Sequence, residues 1–245
     1  MNNIQSTRRK SMVFKQFYRL VLAVTIAATL LFSPMAVAET WRITSLDWQP
    51  YSGSDMRNQG KSIAKLRNIL ARNNIELIVE FYPWKRAQKL AATREYVGYF
   101  PAWPEEVTKG FLPSLPVDWS TIGVMSYTGS NLAWKNIDKL YEKNKVITIK
   151  SYVYPMEIEN AMKRFPGNVI TSPDEALCAK MLGKKRAKAA ITDPNVMLYN
   201  AKKEGIKNIE ILKNNLKKKE LVIAFRDDDT NRQRIEFLNK ILTED

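Results

Sequence analysis

Between Trp41 and Leu242, short runs of branched and aromatic residues alternate with segments whose apolar residues recur at helical spacing. Trp41–Leu46, Ile75–Tyr82, Tyr96–Phe100, Thr121–Tyr127, Lys145–Lys150, Ala187–Thr192 and Leu221–Phe225 read as strands. Ile63, Leu66, Ile69 and Leu70 mark one helical face, and Ile137, Leu140 and Tyr141 mark another. Pro155–Phe165 and Asn231–Leu242 also read as helices. Ser172-Pro173-Asp174-Glu175 reads as a capping box with proline at the first helical position, and Asp193-Pro194 opens a helix in the same way. Parallel strands need a long crossover, and a helix fills it. The alternation therefore predicts an α/β fold with mostly parallel sheets.

Charge divides this region unevenly. Residues 126–220 hold 19 lysines and arginines against 10 acids, whereas 39–125 and 221–245 together balance at 15 of each. A basic middle between two neutral ends predicts two units, with the chain leaving the first and returning to it. The lysine-rich runs at 184–188 and 217–219 lack interleaved aromatics and read as a solvated basic face, with no nucleic-acid partner.

The N-terminus reads as an address. Arg8, Arg9, Lys10, Lys15 and Arg19 precede a largely apolar run from Leu20 to Phe32, and Ala36-Val37-Ala38 follows. This is the pattern of a secretory signal peptide, with cleavage expected after Ala38. The run is short of the ~20 residues that a spanning helix needs. Met12 offers a second start of more usual length. The expected mature chain begins at Glu39 and resides in the periplasm.

Composition removes much chemistry. The chain has no histidine and one cysteine, so histidine-based triads, histidine-ligated metals and an internal disulfide framework are excluded. Cys178, inside an apolar helical pattern, reads as a buried thiol. No cofactor or metal is expected, and the chain is expected to act as a monomer.

Several short motifs stand in a definite order. Trp48-Gln49-Pro50-Tyr51 follows the first strand, Gly60 precedes the first helix, and Glu80 to Ala87 ends the second strand. Ser114-Leu115-Pro116, Tyr152-Val153-Tyr154 and Ala189 to Pro194 come next. In this order the chain resembles the family 3 extracellular solute-binding proteins. These are type II periplasmic binding proteins, typified by amino-acid receptors of ABC transporters. The resemblance implies a two-lobed α/β fold in which each lobe is a mostly parallel sheet flanked by helices and two strands cross between them. Lobe 1 would be residues 39–125 with 220–245, and lobe 2 residues 126–219. The crossings would lie near Val124–Tyr127 and Leu221–Phe225.

It also implies a receptor that captures a small polar ligand between the lobes and delivers it to an inner-membrane permease. The alternatives are a sensory module serving a membrane signalling partner, or a dehydratase-like enzyme in which Glu105-Glu106 or Asp193 would supply acid–base chemistry.

Ligand contacts are expected on loops that leave the carboxyl ends of strands. Trp48 and Tyr51 follow the first strand, and Trp84 and Arg86 follow the second. Tyr127 ends the first crossing, while Ser151 and Tyr152 precede a helix of lobe 2. Asp193 either holds a ligand amino group, as the resemblance implies, or caps the helix that Pro194 begins. One departure matters. The arginine that pairs with the ligand carboxylate in amino-acid receptors is replaced by Val107 or Lys109, and lysine lacks the bidentate fork. Tight binding of ordinary α-amino acids is therefore not expected.

Overall fold

The computed structural model describes residues 39–212 and 217–244. The expected signal peptide lies outside the described residues. Strand β1 (Glu39–Ser45) pairs in parallel with β2 (Ile75–Phe81) and β3 (Gly98–Ala102). The last strand, β10 (Lys217–Arg226), runs antiparallel beside β3, and the short β4 (Phe111–Pro113) pairs with β10.

The same plan recurs further along the chain. Strand β6 (Val146–Ile149) is parallel to β7 (Val169–Ser172) and β8 (Ala189–Thr192). Strand β5 (Asp118–Tyr127) runs antiparallel beside β8, and the short β9 (Ile209–Ile211) pairs with β5. The expected mostly parallel α/β fold is thus present twice, as two sheets that β10 and β5 join into one ten-stranded order in a two-lobed architecture.

Strands β5 and β10 are ten residues each, long enough to serve both sheets. Asp118–Leu221 and Ile122–Lys217 are the outer pairs of the antiparallel segment where they run side by side. The crossing is therefore Asp118–Ile122 with Lys217–Leu221. Of the expected Val124–Tyr127 and Leu221–Phe225, only Leu221 lies in the crossing; Val124–Tyr127 and Val222–Phe225 belong to the sheets on either side. Uniformly apolar stretches such as Ile223–Phe225 mark sheet interiors, where both faces are covered.

Helices cover the sheets. In the first, α1 (Lys61–Ala71) follows β1 and α2 (Trp84–Ala91) follows β2. In the second, α3 (Ile137–Lys143), α4 (Met156–Arg164), α5 (Glu175–Gly183) and α6 (Pro194–Lys203) alternate with strands, and α7 (Asp229–Glu244) closes the chain. Leu66 and Leu70 on α1 are fully buried against a core containing Trp41, Ile43 and Phe225. Each such side chain contributes about 1.5–3 kcal/mol by leaving water. Cys178 is buried on α5, as expected.

Local differences from the sequence reading have local causes. Strand β3 starts at Gly98, two residues late, because Tyr96 stays in a turn with its hydroxyl on Glu80. Gly98 also lets β3 approach β10 closely, since a Cβ there would meet the Ala224 carbonyl oxygen at 2.0 Å. Ser172-Pro173-Asp174-Glu175 is not the expected capping box. Asp174 is the cap, accepting from the Leu177 amide at 2.7 Å, and the helix starts at Glu175. The Glu80–Ala87 segment turns helical at Trp84, with Pro83 at the cap position of α2.

Candidate functional site

The carboxyl ends of five strands converge. Strands β1, β2 and β3 are followed by Asp47-Trp48, Tyr82-Pro83-Trp84 and Trp103, and β6 and β7 by Ser151-Tyr152 and Pro173-Asp174-Glu175. Together these loops line a cavity of about 410 Å³, with Leu221 from the crossing contributing to it. Such a volume suits one small organic molecule.

Aromatic rings build much of the wall. Tyr152 stands edge-on to Trp103, with ring centroids 4.8 Å apart, and to Trp48 at 6.4 Å. The Trp48 indole N–H donates to the Tyr152 hydroxyl at 2.9 Å, and that hydroxyl donates to Glu175 at 2.6 Å. This chain ties the first sheet's loop to the second sheet's helix. The Trp103 indole N–H donates to Ser120 Oγ on β5 at 2.8 Å, which fixes its ring orientation.

Four acidic residues line the same cavity: Asp47 and Glu106 from loops of the first sheet, Asp174 and Glu175 from the second. Asp47 accepts from the Ser54 amide at 2.7 Å and from its hydroxyl at 2.9 Å. Glu106 accepts from the Trp84 indole N–H at 3.2 Å and from the Trp103 amide at 3.0 Å, so it braces two walls at once. Burial pushes its carboxyl up to about 7, opposed by those two donors and by the more distant Lys219 and Lys85. Burial also raises Glu175, although Tyr152 donates to it. Among the described residues, no lysine or arginine lines the cavity.

The sequence candidates divide. Trp48, Trp84, Ser151 and Tyr152 line the cavity. Tyr51 and Asp193 are fully buried and face each other away from it. The Tyr51 hydroxyl donates to Asp193 Oδ2 at 3.0 Å and accepts from Asn195 Nδ2 at 2.9 Å. Asp193 also accepts from the amides of Thr121, Asn195 and Val196. Its carboxylate therefore caps α6 and latches it to the Tyr51 loop, and burial still outweighs these donors in raising its pKa. Gly60 makes room for that loop, because a Cβ there would meet the Tyr51 carbonyl oxygen at 2.5 Å.

Arg86 is exposed on α2 with its guanidinium 5.3 Å from the Tyr82 ring centroid, and it is not among the lining residues. Its helix turns it outward while Trp84, Ala87 and Gln88 are buried. Lys109 is exposed and Tyr127 pairs in the second sheet beneath Lys185; neither lines the cavity. Val107 packs beside the cluster containing Trp84. The 217–219 run is only partly a solvated face. Lys219 is buried, pairs with Glu105, and lies 5.1 Å from the Trp103 centroid.

Sequence reasoning missed Trp103, Asp47, Asp174 and Glu175 as lining residues, and named Glu106 only for the dehydratase-like alternative. A usable signal was present. Trp103-Pro104-Glu105-Glu106 places proline at the start of a short turn and a glutamate three residues after its cap.

Glu106 makes stability sensitive to pH. Its folded pKa of about 7 lies above the ordinary 4.5, so the folded state binds the extra proton in that interval. Stability is then greatest at the acid end of the window and falls as pH rises through it. Asp47, Tyr82, Tyr152, Asp174 and Glu175 share its cavity, Lys219 and Lys85 act on it through their charge, and the Tyr99 hydroxyl donates to its carbonyl. Thermal unfolding from pH 4.5 to 8 is expected to show a shallower decline in the Glu106→Gln variant than in the wild type. Equal slopes would contradict this assignment.

No protein-family model matches the sequence, and a search of curated proteins finds no match. Solved structures do match. A histidine kinase sensor domain with similarity to periplasmic binding proteins aligns with a TM-score of 0.68 and 13% identity, covering 84% of this chain and 90% of that one. An ancestral arginine-binding protein bound to arginine aligns at 0.66 and 17%, covering 85% and 92%. An ancestral amino-acid-binding protein, described as a precursor of cyclohexadienyl dehydratase, aligns at 0.61 and 21%, covering 84% and 88%. With strand order, crossing strands and these likenesses together, the chain has the two-lobed α/β fold of the type II periplasmic binding proteins.

Proposed function

We propose that this protein is a periplasmic solute receptor. It encloses a small polar ligand in the cavity between its lobes and delivers it to an ABC-type permease. The observation that supports this most is the cavity itself. It is about 410 Å³, built from strand-end loops of both sheets and walled by aromatic rings. Asp118–Ile122 and Lys217–Leu221, the paired segments between the sheets, would serve as the hinge. The two sheets on either side of that hinge would then move as two bodies, Gly123–Met125 going with β8.

A thermal-shift screen of amines, amino acids, organic acids and short peptides tests the receptor reading, because a ligand that binds only the folded state raises the melting temperature. The active compound is expected to contract the protein in small-angle scattering. A screen with no active compound in any class counts against the receptor reading. The likeness to a sensor domain favours a second reading, in which the ligand-loaded protein engages a membrane signalling partner. Deleting the gene separates the two. Loss of uptake of the labelled ligand supports delivery, and intact uptake with a lost cellular response supports sensing.

A further inference from the structure

We propose that this cavity, on the receptor reading above, takes a small organic cation that carries no carboxylate, such as an alkylammonium, a diamine or a guanidinium compound. The cavity places Asp47, Glu106, Asp174 and Glu175 around one volume of about 410 Å³. The rings of Trp48, Tyr82, Trp84, Trp103 and Tyr152 share that wall. An aromatic face attracts a desolvated cation through its quadrupole, and carboxylates supply the countercharge. The arrangement runs against the balance of residues 39–245, which hold 34 lysines and arginines against 25 acids. The acidic character therefore belongs to the cavity and not to the surface at large.

The basic groups nearby are committed elsewhere or turned away. Lys219 pairs with Glu105, and Lys85, Arg86 and Lys109 are exposed outside the lining. A ligand carboxylate would therefore enter a carboxylate-lined space without a cationic side chain to meet it. An ammonium or guanidinium group meets acidic residues from both sheets, because Asp47 and Glu106 belong to loops of the first sheet and Asp174 and Glu175 follow β7 of the second. Its binding also favours the ionised form of Glu106, whose burial otherwise opposes that form.

Calorimetry with two matched pairs tests the assignment: cadaverine against L-lysine, and agmatine against L-arginine. Each pair differs by the α-carboxylate alone. Tetramethylammonium and L-glutamate complete the set, at pH 8 and low salt. The amines are expected to bind at least about tenfold more tightly than their amino acids. Glu175→Gln, which keeps an acceptor for Tyr152, and Asp174→Asn, which keeps the helix cap, are each expected to weaken the tighter amine several-fold. Their ligand-free melting temperatures should stay close to the wild type.

Equal or tighter binding of the amino acids overturns the proposal, and would seat their carboxylate at the N-terminus of α2. Unchanged amine affinity in both variants also overturns it. Binding of L-glutamate or an amino acid while no cation binds removes the cation assignment and leaves the receptor reading standing. No binding by any of the six compounds at millimolar concentration removes the cation assignment. The broader screen above then decides the receptor reading separately.

Discussion

Alanine at Asp193 is expected to cost about 3–5 kcal/mol of stability, because the change leaves several buried donors without an acceptor and removes a helix cap. The donors are the Tyr51 hydroxyl and the amides of Thr121, Asn195 and Val196. They come from the loop after β1, from the crossing strand and from α6, so the loss loosens three elements at one point. In a chain of this size the melting temperature should fall by roughly 6–20 °C. Asparagine at the same position keeps Oδ1 for the cap, but its amide nitrogen opposes the Thr121 N–H. That variant is expected to lose about 1–3 kcal/mol, the cost of one buried unpaired donor. Equal stability of Asp193→Ala and wild type in thermal unfolding would contradict the latch.

Trp103→Ala should be comparably severe, at about 3–5 kcal/mol, the range for removing a buried aromatic from a core. The ring is 2% exposed and packs against Trp48 and Tyr152. Its loss also leaves Ser120 Oγ without its indole donor. Phenylalanine at this position keeps most of the apolar contact and should recover about half of the loss, since volume-conserving changes are the best tolerated. Because Trp103 walls the cavity, ligand affinity should fall in both variants, and by more in alanine. Chemical denaturation of the three proteins gives the comparison. An alanine variant within about 1 kcal/mol of wild type would place the ring outside the packed interior.

The fold was legible because it rests on periodicity. Ile63, Leu66, Ile69 and Leu70 announce α1, and the branched runs announce β1, β2 and β6. Strands β4 and β9 were not legible, since three residues carry no period. The site was only partly legible. Position at a strand's carboxyl end can be read from sequence, and it brought out Trp48, Trp84, Ser151 and Tyr152. Side-chain direction cannot be read in the same way. Tyr51 and Arg86 occupy the expected loops, but one turns inward to Asp193 and the other turns out to solvent.

Register hid the rest. With β3 ending at Ala102 and not Phe100, the loop that reaches the cavity is Trp103–Glu106, two residues beyond the place where sequence reasoning put the strand end. Asp174 and Glu175 were read only as capping residues, because the same carboxylates that start a helix serve a cavity when that helix points into one.

The central claim is that the ligand sits between the lobes at the Trp48, Trp84 and Trp103 wall. Of the chain's six tryptophans those three line the cavity, Trp119 is exposed on the crossing strand, Trp41 is buried in the first lobe's core and Trp134 packs at the margin of the core. Protein labelled with ¹⁵N at the indoles, titrated with the compound that gives the largest thermal shift, reports each ring separately. The expected result is movement of the Trp48, Trp84 and Trp103 indole resonances with Trp41 and Trp134 nearly unmoved. Saturation with the cavity trio unmoved, and shifts at Trp41 or Trp134 instead, would contradict the claim.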